Sequence, residues 1–219
     1  MSTAIPKDNS MHDISPSGAF RALHPLILAS SSPRRRELLG SLGLAFEIQV
    51  VDGAEPAPAL DDDPAAYAMR AARAKAEAVA RVATESVVIG ADTIVVLHEE
   101  HGPVILGKPA DRAEALAMLL HLSGRTHTVY TGCCLVWPGR RTDTFCAAAE
   151  VTFAAWPEEV LRAYAATGEG DDKAGSYAIQ GLGSFLVSAI SGQWATIVGL
   201  PVLDVAQRLV DGGAIAARL

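Results

Sequence analysis

The run Ser30, Ser31, Ser32, Pro33, Arg34, Arg35, Arg36 sets three hydroxyls and three guanidinium groups between an apolar stretch, Leu26 to Ala29, and a leucine-bearing helical pattern. Ser32 is placed to be the N-cap and Pro33 the first helical residue, so the arginines crowd the first turn. That end of a helix carries the positive pole of its dipole, where an exposed cation costs about 0.3–1 kcal/mol. A bound anion would reverse the sign. Helix N–H groups, serine hydroxyls and guanidinium forks together make a cradle for phosphate. Successive helical residues lie about 100° apart, so one or two arginines are expected on the anion and the third in solvent. In the alternative, all three extend into water and Glu37 offsets part of the charge.

Two more residues are at odds with their neighbours. Asp92 lies inside "SVVIGADTIVVL", a β-branched strand in which Gly90 and Ile94 share its face. An unpaired buried carboxylate is costly, so Asp92 is either a general base or metal ligand, or a residue at a bulge after Gly90. Lys75 has Ala71, Ala72, Ala78 and Val79 three and four residues away, which is the apolar face of its helix. Arg73, Glu77 and Arg81 form the i, i+4 ladder of the solvent face instead. Lys75 therefore either snorkels or reaches inward to a phosphate. Lys108 follows a strand in "GKP". The stretch "DDKAGSYAIQG" sets Asp172, Lys173 and Gln180 among glycines that let backbone approach a ligand. His98 and His101 in "HEEH" hint at a metal but sit in a turn too short for a metal-binding helix.

These groups must be positioned by alternating strands and helices. A strand is expected over 26–30, a helix over 33–42 and a strand over 45–51. After the loop "DGAEPAPALDDDP" come a long helix over 64–83, the strand 86–97, a turn at "HEEHGP" and a short return strand at "VILGKP". Asp111 caps a helix that runs to Leu122. Strands 126–137 and 142–153 form a hairpin around "PGR", Pro157 begins a helix that stops near Gly168, and a loop leads to strand 184–191. Pro201 opens a final helix. The expected fold is α/β with a mixed sheet. Residues 1–24 are polar with Pro and Ser and are expected to be a disordered extension of a domain spanning 25–219.

Half of the 219 residues are hydrophobic, enough for one large core or two lobes. The net charge of −7 and the 5% aromatic content argue against a nucleic-acid partner, so any basic site must be local. No apolar run reaches transmembrane length, no membrane partner is expected, and the N-terminal residues lack the apolar centre of a signal peptide. Three cysteines without metal spacing fit a reducing compartment, so a cytoplasmic setting is expected. There is no Walker loop and no G-x-S-x-G nucleophile elbow.

The motifs "LASSSPRRRELL", "RARAKA", "GADTIV", "GKP", "SGRTHTVYTG", "DKAGSYAIQG" and "VGLP", in this order, resemble those of the Maf family of nucleoside triphosphate pyrophosphatases. The likeness covers roughly residues 26–211. It implies a fold related to the inosine-triphosphate pyrophosphatases, an elongated mixed β-sheet with flanking helices and two lobes around a cleft. It also implies hydrolysis of a nucleoside triphosphate to monophosphate and pyrophosphate, with a divalent cation, Mg²⁺ or Mn²⁺, as cofactor. Asp92 matches the family's proton acceptor. Ser30, Arg34, Arg35, Lys75, Lys108 and Lys173 match phosphate-side positions, and Glu55 with Asp92 matches the metal side.

Arg34, Thr93 and Gln180 match the three specificity positions of the dTTP/UTP branch. Thr196 departs from the asparagine of many members. The choice between Asp92 and Glu55 as base stays open, with Asp92 favoured by its strand setting. The family also implies a small-molecule nucleotide as partner and a homodimer. A nucleotide-binding regulator of septum formation without turnover is the alternative function.

Overall fold

The computed structural model describes residues 18–53, 56 and 63–219. Among them the elements run β1 (Phe20–Ala22), β2 (Leu26–Leu28), α1 (Pro33–Gly40), β3 (Glu47–Ile48), α2 (Pro64–Ala80), β4 (Val87–Glu99), β5 (Gly102–Leu106), α3 (Arg112–Leu122), β6 (Thr126–Val136), β7 (Thr142–Phe153), α4 (Glu158–Thr167), β8 (Val187–Ser191), α5 (Trp194–Val198), α6 (Val202–Asp211) and β9 (Ile215–Ala217). A seven-stranded mixed sheet has the order β3-β2-β4-β6-β7-β8, with β5 also on β4. β2 is parallel to β3 and β4, and the other pairs in this sheet are antiparallel.

The β-branched run at the centre forms β4, the longest strand, and its two edges differ. On one side β6 pairs with it without a break from Val88 to Val96. On the other, β2 covers Val87–Ile89 and β5 covers Val95–Glu99. Among the described residues, 90–94 thus have a neighbouring strand on one side only. β2 runs toward this gap from below and β5 from above, so the carboxyl ends of both strands face it. Ligand crevices form where strand direction switches in this way.

Alternation along β4 and β6 assigns the packing. Ile89, Ala91, Cys133 and Leu135 join α1 and α6 in one apolar core. Val95, Leu97 and Val129, on the same sheet face, join α3 and α4 in a second core. The opposite face packs against α2 through Val88, Cys134 and Val136 at one end and Ile94 and Val96 at the other. Between the cores the alternation yields Gly90, Asp92 and Gly132 on the α2 face and Thr93 and Thr131 on the other. The register passes from Gly90↔Cys134 to Asp92↔Gly132 and Thr93↔Thr131 without a shift, so Asp92 is not at a bulge.

Several expected boundaries differ. Strand 45–51 is reduced to Glu47–Ile48, and helix 64–83 ends at Ala80. Strand 184–191 starts at Val187, because Gly181–Leu186 forms a 3₁₀ turn. Helix α5 was not expected, since five residues are too few to show a helical period. Phe20–Ala22, inside the segment expected to be a disordered extension, pairs with β9. The residues before Gly18 lie outside the described ones.

His127 on β6 generates a pH dependence. It is 1% exposed, and its Nε2 lies 2.8 Å from the Tyr177 hydroxyl. Its ring meets Phe153 and Tyr177 edge-on, and among the described residues Nδ1 has no partner. Burial pushes its pKa down from the usual 6.5 to about 4. Between those values the unfolded chain binds the proton that the folded chain refuses. Stability is therefore full above the unfolded value and falls as pH drops toward 4, by about 3 kcal/mol in all. Denaturant unfolding at pH 7 and pH 4.5 is expected to show a smaller acid-side loss in His127→Gln than in wild type.

Candidate active site

A cleft of about 970 Å³ opens at the β4 gap, at the upper end of the size usual for small-molecule sites. Its floor is β4 from Asp92 to Val95. The segment after β2, from Ala29 to Arg35, forms one wall, and the end of β5 at Leu106 with Gly107 and Lys108 after it forms another. The loop between α4 and β8 closes the far side with Glu169, Asp172, Lys173 and Gln180.

On the α2 face the site depends on close approach. Asp63 caps α2 by accepting from the Ala66 N–H at 2.8 Å, and Pro64 takes the first turn. Ala68, Ala72 and Ala76 are fully buried against the sheet. A Cβ on Gly90 would lie 2.5 Å from the Ala72 carbonyl oxygen, and one on Gly132 would overlap the Ala68 carbonyl. The bare backbone at these points lets α2 lie low enough for Lys75 to reach the strand. Its Nζ donates to Asp92 Oδ1 at 2.6 Å, with the side chains 21% and 8% exposed. Lys75 thus turns inward to a carboxylate rather than snorkelling along the alanine face.

On the other face Arg35 is turned into the protein. Its Nε donates to the Gly199 carbonyl at 2.8 Å, one terminal nitrogen to Ser30 Oγ at 3.2 Å and the other to Thr93 Oγ1 at 3.0 Å. Thr131 Oγ1 donates to the Thr196 carbonyl at 2.7 Å and lies 2.9 Å from Thr93 Oγ1. Each hydroxyl has one proton, so the chain has a direction: Arg35 to Thr93, Thr93 to Thr131, Thr131 to Thr196. It runs along the seam between the two apolar cores of that face. Ser30 Oγ also accepts the Ser32 N–H at 3.3 Å, and Ser32 caps α1 at the Arg35 N–H. Arg34 approaches Asp172 Oδ2 at 3.8 Å, and Arg36 is exposed.

Lys173 donates to Asp172 Oδ1 at 2.5 Å and to the Glu169 carbonyl. Partial burial pushes the Asp172 carboxyl up, but the Lys173 hydrogen bond and charge, with Arg34, outweigh it and hold the group below the usual carboxylate range. Lys108 and Gln180 are exposed on the cleft wall. The structure thus brings Ser30, Arg34, Arg35, Lys75, Asp92, Thr93, Lys108, Lys173 and Gln180 to one cleft. Glu55 lies outside the described residues. Among the described residues no group of three or more His, Cys, Asp or Glu side chains could hold a metal ion, those of "HEEH" included. Sequence reasoning misses Thr131 and Glu169. Thr131 becomes visible only once β6 is set opposite Thr93, and Glu169 only once the chain has turned back on itself.

A mixed α/β sheet whose strand-direction switch opens into a cation-rich cleft defines a nucleotide- or phosphate-handling class of protein. The chain belongs to the Maf family, described as Maf-like protein, whose sequence profile matches residues 25–211. It is 48% identical over 202 residues to the dTTP/UTP pyrophosphatase of Nitratidesulfovibrio vulgaris, covering 92% of this chain and 94% of that one. It is 45% identical over 198 residues to the dTTP/UTP pyrophosphatase of Deinococcus radiodurans, covering 88% and 94%. Among solved structures, a HAM1 protein from Coxiella burnetii aligns at a TM-score of 0.49 and 16% identity over 86% of this chain and all of that one.

The threonine chain can be tested on its own. Thr131→Val keeps the shape but leaves the buried Thr196 carbonyl without its donor and the Thr93 hydroxyl without its acceptor. Urea unfolding is expected to show a loss of about 1–3 kcal/mol. Thr131→Ser, which keeps the hydroxyl, is expected to recover most of it. Equal losses in both variants would assign the effect to the methyl group and not to the hydrogen bonds.

Proposed function

We propose that this protein hydrolyses nucleoside triphosphates, dTTP and UTP among them, to the monophosphate and pyrophosphate. The observation that carries the reading is the Lys75–Asp92 pair, set at the strand gap in a cleft that also holds Arg34, Arg35, Lys108 and Lys173. The relatives named dTTP/UTP pyrophosphatase support it over nearly the full length of the chain.

A triphosphate is shielded from attack by its own negative oxygens. In a chain with net charge −7, the cleft gathers cations where these oxygens would lie. Arg34, Lys108 and Lys173 line its walls, and Lys75 stands at the floor. They neutralise the phosphates, more strongly as charge builds in the transition state. Arg35 and Ser30 fix the wall at the α1 N-terminus, whose N–H groups face the anion. Asp92 accepts the proton of the attacking water. Its place in a continuous strand register, and the Lys75 ammonium on one of its oxygens, hold the carboxylate in a single orientation.

A divalent cation, Mg²⁺ or Mn²⁺, would be held by Asp92, by Glu55 and by the substrate's own oxygens. One or two carboxylates plus phosphates is the usual way Mg²⁺ is bound, so Asp92, the described one of these two carboxylates, fits that role. When bound, the ion adds charge neutralisation at the phosphates. The free cysteines suit a cytoplasmic setting.

The reaction is tested by resolving the products. Pyrophosphate release from UTP or dTTP, with Asp92→Asn folded and slowed roughly 10²–10⁴-fold, is expected. Stepwise orthophosphate release would remove the proposal. Nucleotide binding without turnover would return the regulator reading, and full activity in Asp92→Asn would move the base to Glu55.

Gln180 tests the base preference. Uracil and thymine offer an N3–H donor beside an O4 acceptor, and a primary amide presents the complementary pair. A carboxylate offers acceptors only. In Gln180→Glu, kcat/KM for UTP is expected to fall roughly 10- to 100-fold, and the UTP-to-GTP preference to shift toward guanine, whose N1–H and 2-amino groups suit a carboxylate. An unchanged ratio would show that Gln180 does not read the base.

A further inference from the structure

We propose that Glu169 is a positioning residue for base selection: its carboxylate, together with the Tyr164 hydroxyl, clamps the backbone on both sides of Gln180 and so fixes where that amide points. The proposal rests on the function proposed above and extends it to residues outside the expected site.

Residues 178–183 belong to no sheet ladder. They pass from an irregular stretch into the 3₁₀ turn Gly181–Leu186, whose start has no side-chain cap of its own. Their backbone donors need partners from elsewhere, and Glu169 and Tyr164 supply them. Glu169 Oε1 accepts the Leu182 N–H at 2.7 Å, and Oε2 accepts the Gly183 N–H at 2.7 Å. The Tyr164 hydroxyl donates to Oε2 at 2.9 Å and accepts the Ala178 N–H at 3.1 Å. Three backbone donors bracketing Gln180, two after it and one before, thus converge on one carboxylate and one phenol. A Cβ on Gly181 would overlap Glu169 Oε1, and Gly181 has φ +84. The residue after Gln180 is therefore pressed against the carboxylate in a backbone shape that favours glycine.

The clamp stands on a fixed base. Tyr164 is 3% exposed on α4, and that helix ends at Gly168 in the left-handed conformation, immediately before Glu169. Arg112 on α3 donates to the Ala165 carbonyl at 2.6 Å and pairs with Asp171 at 2.9 Å, tying down both sides of the helix end. Hydrogen bonds to an ionised acceptor are short and strong, and the two Glu169 contacts to backbone N–H groups have such lengths. Glu169 does not need to touch the base. It acts through the position of Gln180.

The chemistry calls for a carboxylate and not merely a side chain of that size. In Glu169→Gln one of the two oxygen positions becomes an NH₂ group, which faces a backbone N–H donor whichever way the amide is turned. Steady-state kinetics with UTP and GTP as probes, on wild type, Glu169→Gln, Tyr164→Phe, Gln180→Ala and Glu169→Gln/Gln180→Ala, test the clamp. Glu169→Gln is expected to raise KM for UTP and to lower the UTP-to-GTP ratio of kcat/KM, each roughly tenfold, with a smaller change in kcat. Tyr164→Phe is expected to shift the ratio in the same direction by less. In the double variant the ratio is expected to match Gln180→Ala alone, because the clamp has nothing left to position.

An unchanged ratio in Glu169→Gln overturns the proposal, as do effects that multiply independently in the double variant. So does an equal fall in kcat for both nucleotides that follows a lowered melting temperature. Should Glu169→Gln not fold, Tyr164→Phe carries the same test, and an unchanged ratio there overturns it. A wild-type protein that hydrolyses neither nucleotide removes the proposed function and the clamp together. A ratio that responds to Gln180→Ala but not to Glu169→Gln removes the clamp alone.

Discussion

The site depends on how closely helix α2 can lie on the sheet. Three alanines of the helix, Ala68, Ala72 and Ala76, meet the sheet at Gly90 and Gly132, and a methyl group at either glycine would run into helix backbone or side chain. This contact sets the height of the whole helix, and hence whether a lysine four carbons long can place its ammonium on Asp92. Breaking a buried pair by removing one partner leaves an uncompensated charge, while an apolar pair of the same shape is often no less stable. Lys75 and Asp92 are thus poorly explained as stabilisers. They make sense as a charge arrangement kept ready at the floor of a cleft.

The same middle zone interrupts the apolar pattern on both faces of the sheet. On the α2 face it contains Gly90, Asp92 and Gly132, and on the other Thr93 and Thr131, with apolar cores above and below in each case. A polar belt through the centre of a sheet is tolerable only if its groups find partners. The directed chain from Arg35 through two threonines to the Thr196 carbonyl satisfies one side, and the Lys75 ammonium satisfies the other. Because β2 and β5 both stop at this level, the belt is reached from the open edge of β4. One sheet therefore carries two lobes and a floor between them.

Much of this was legible in the sequence where the signal is local. The Ser32–Pro33 start of α1, the Asp111 cap of α3 and the β-branched run of β4 follow from residue type and spacing, and the structure has each of them. The odd placement of Lys75 on an alanine face was readable for the same reason. What was not legible depends on pairing between distant segments. Thr131 is an ordinary strand threonine until the register sets it opposite Thr93. Glu169 looks like a loop carboxylate until residues 178–183 return past it. The three-residue β1 and β9 and the five-residue α5 are each too short for their period to repeat often enough to reveal them, and the strand expected over 45–51 is reduced to the two residues of β3.

The three arginines at the positive end of α1 are resolved by different means. Arg36 stays in solvent. Arg35 turns its charge away from the helix pole onto the Gly199 carbonyl and two hydroxyls, which fix its position. Arg34 approaches Asp172 across the mouth of the cleft, and Lys173 and Lys75 likewise meet carboxylates of the cleft itself. These last three pairs share a property: each joins a cation to an acidic side chain beside open space. Under the proposed function a triphosphate can exchange for Asp172 on Arg34 and Lys173 with little loss of pairing, while Lys75 stays on the buried Asp92 and turns its remaining protons to the phosphates. Asp172 is the more exposed of the two carboxylates and is held ionised by its two cations, so it offsets part of the positive charge of the cleft between turnovers. The fixed arginine shapes the wall, and the exchangeable pairs receive the charge. Arg35 and Lys75 therefore differ in kind although both match phosphate-side positions: one is committed to the architecture and the other to a counter-charge.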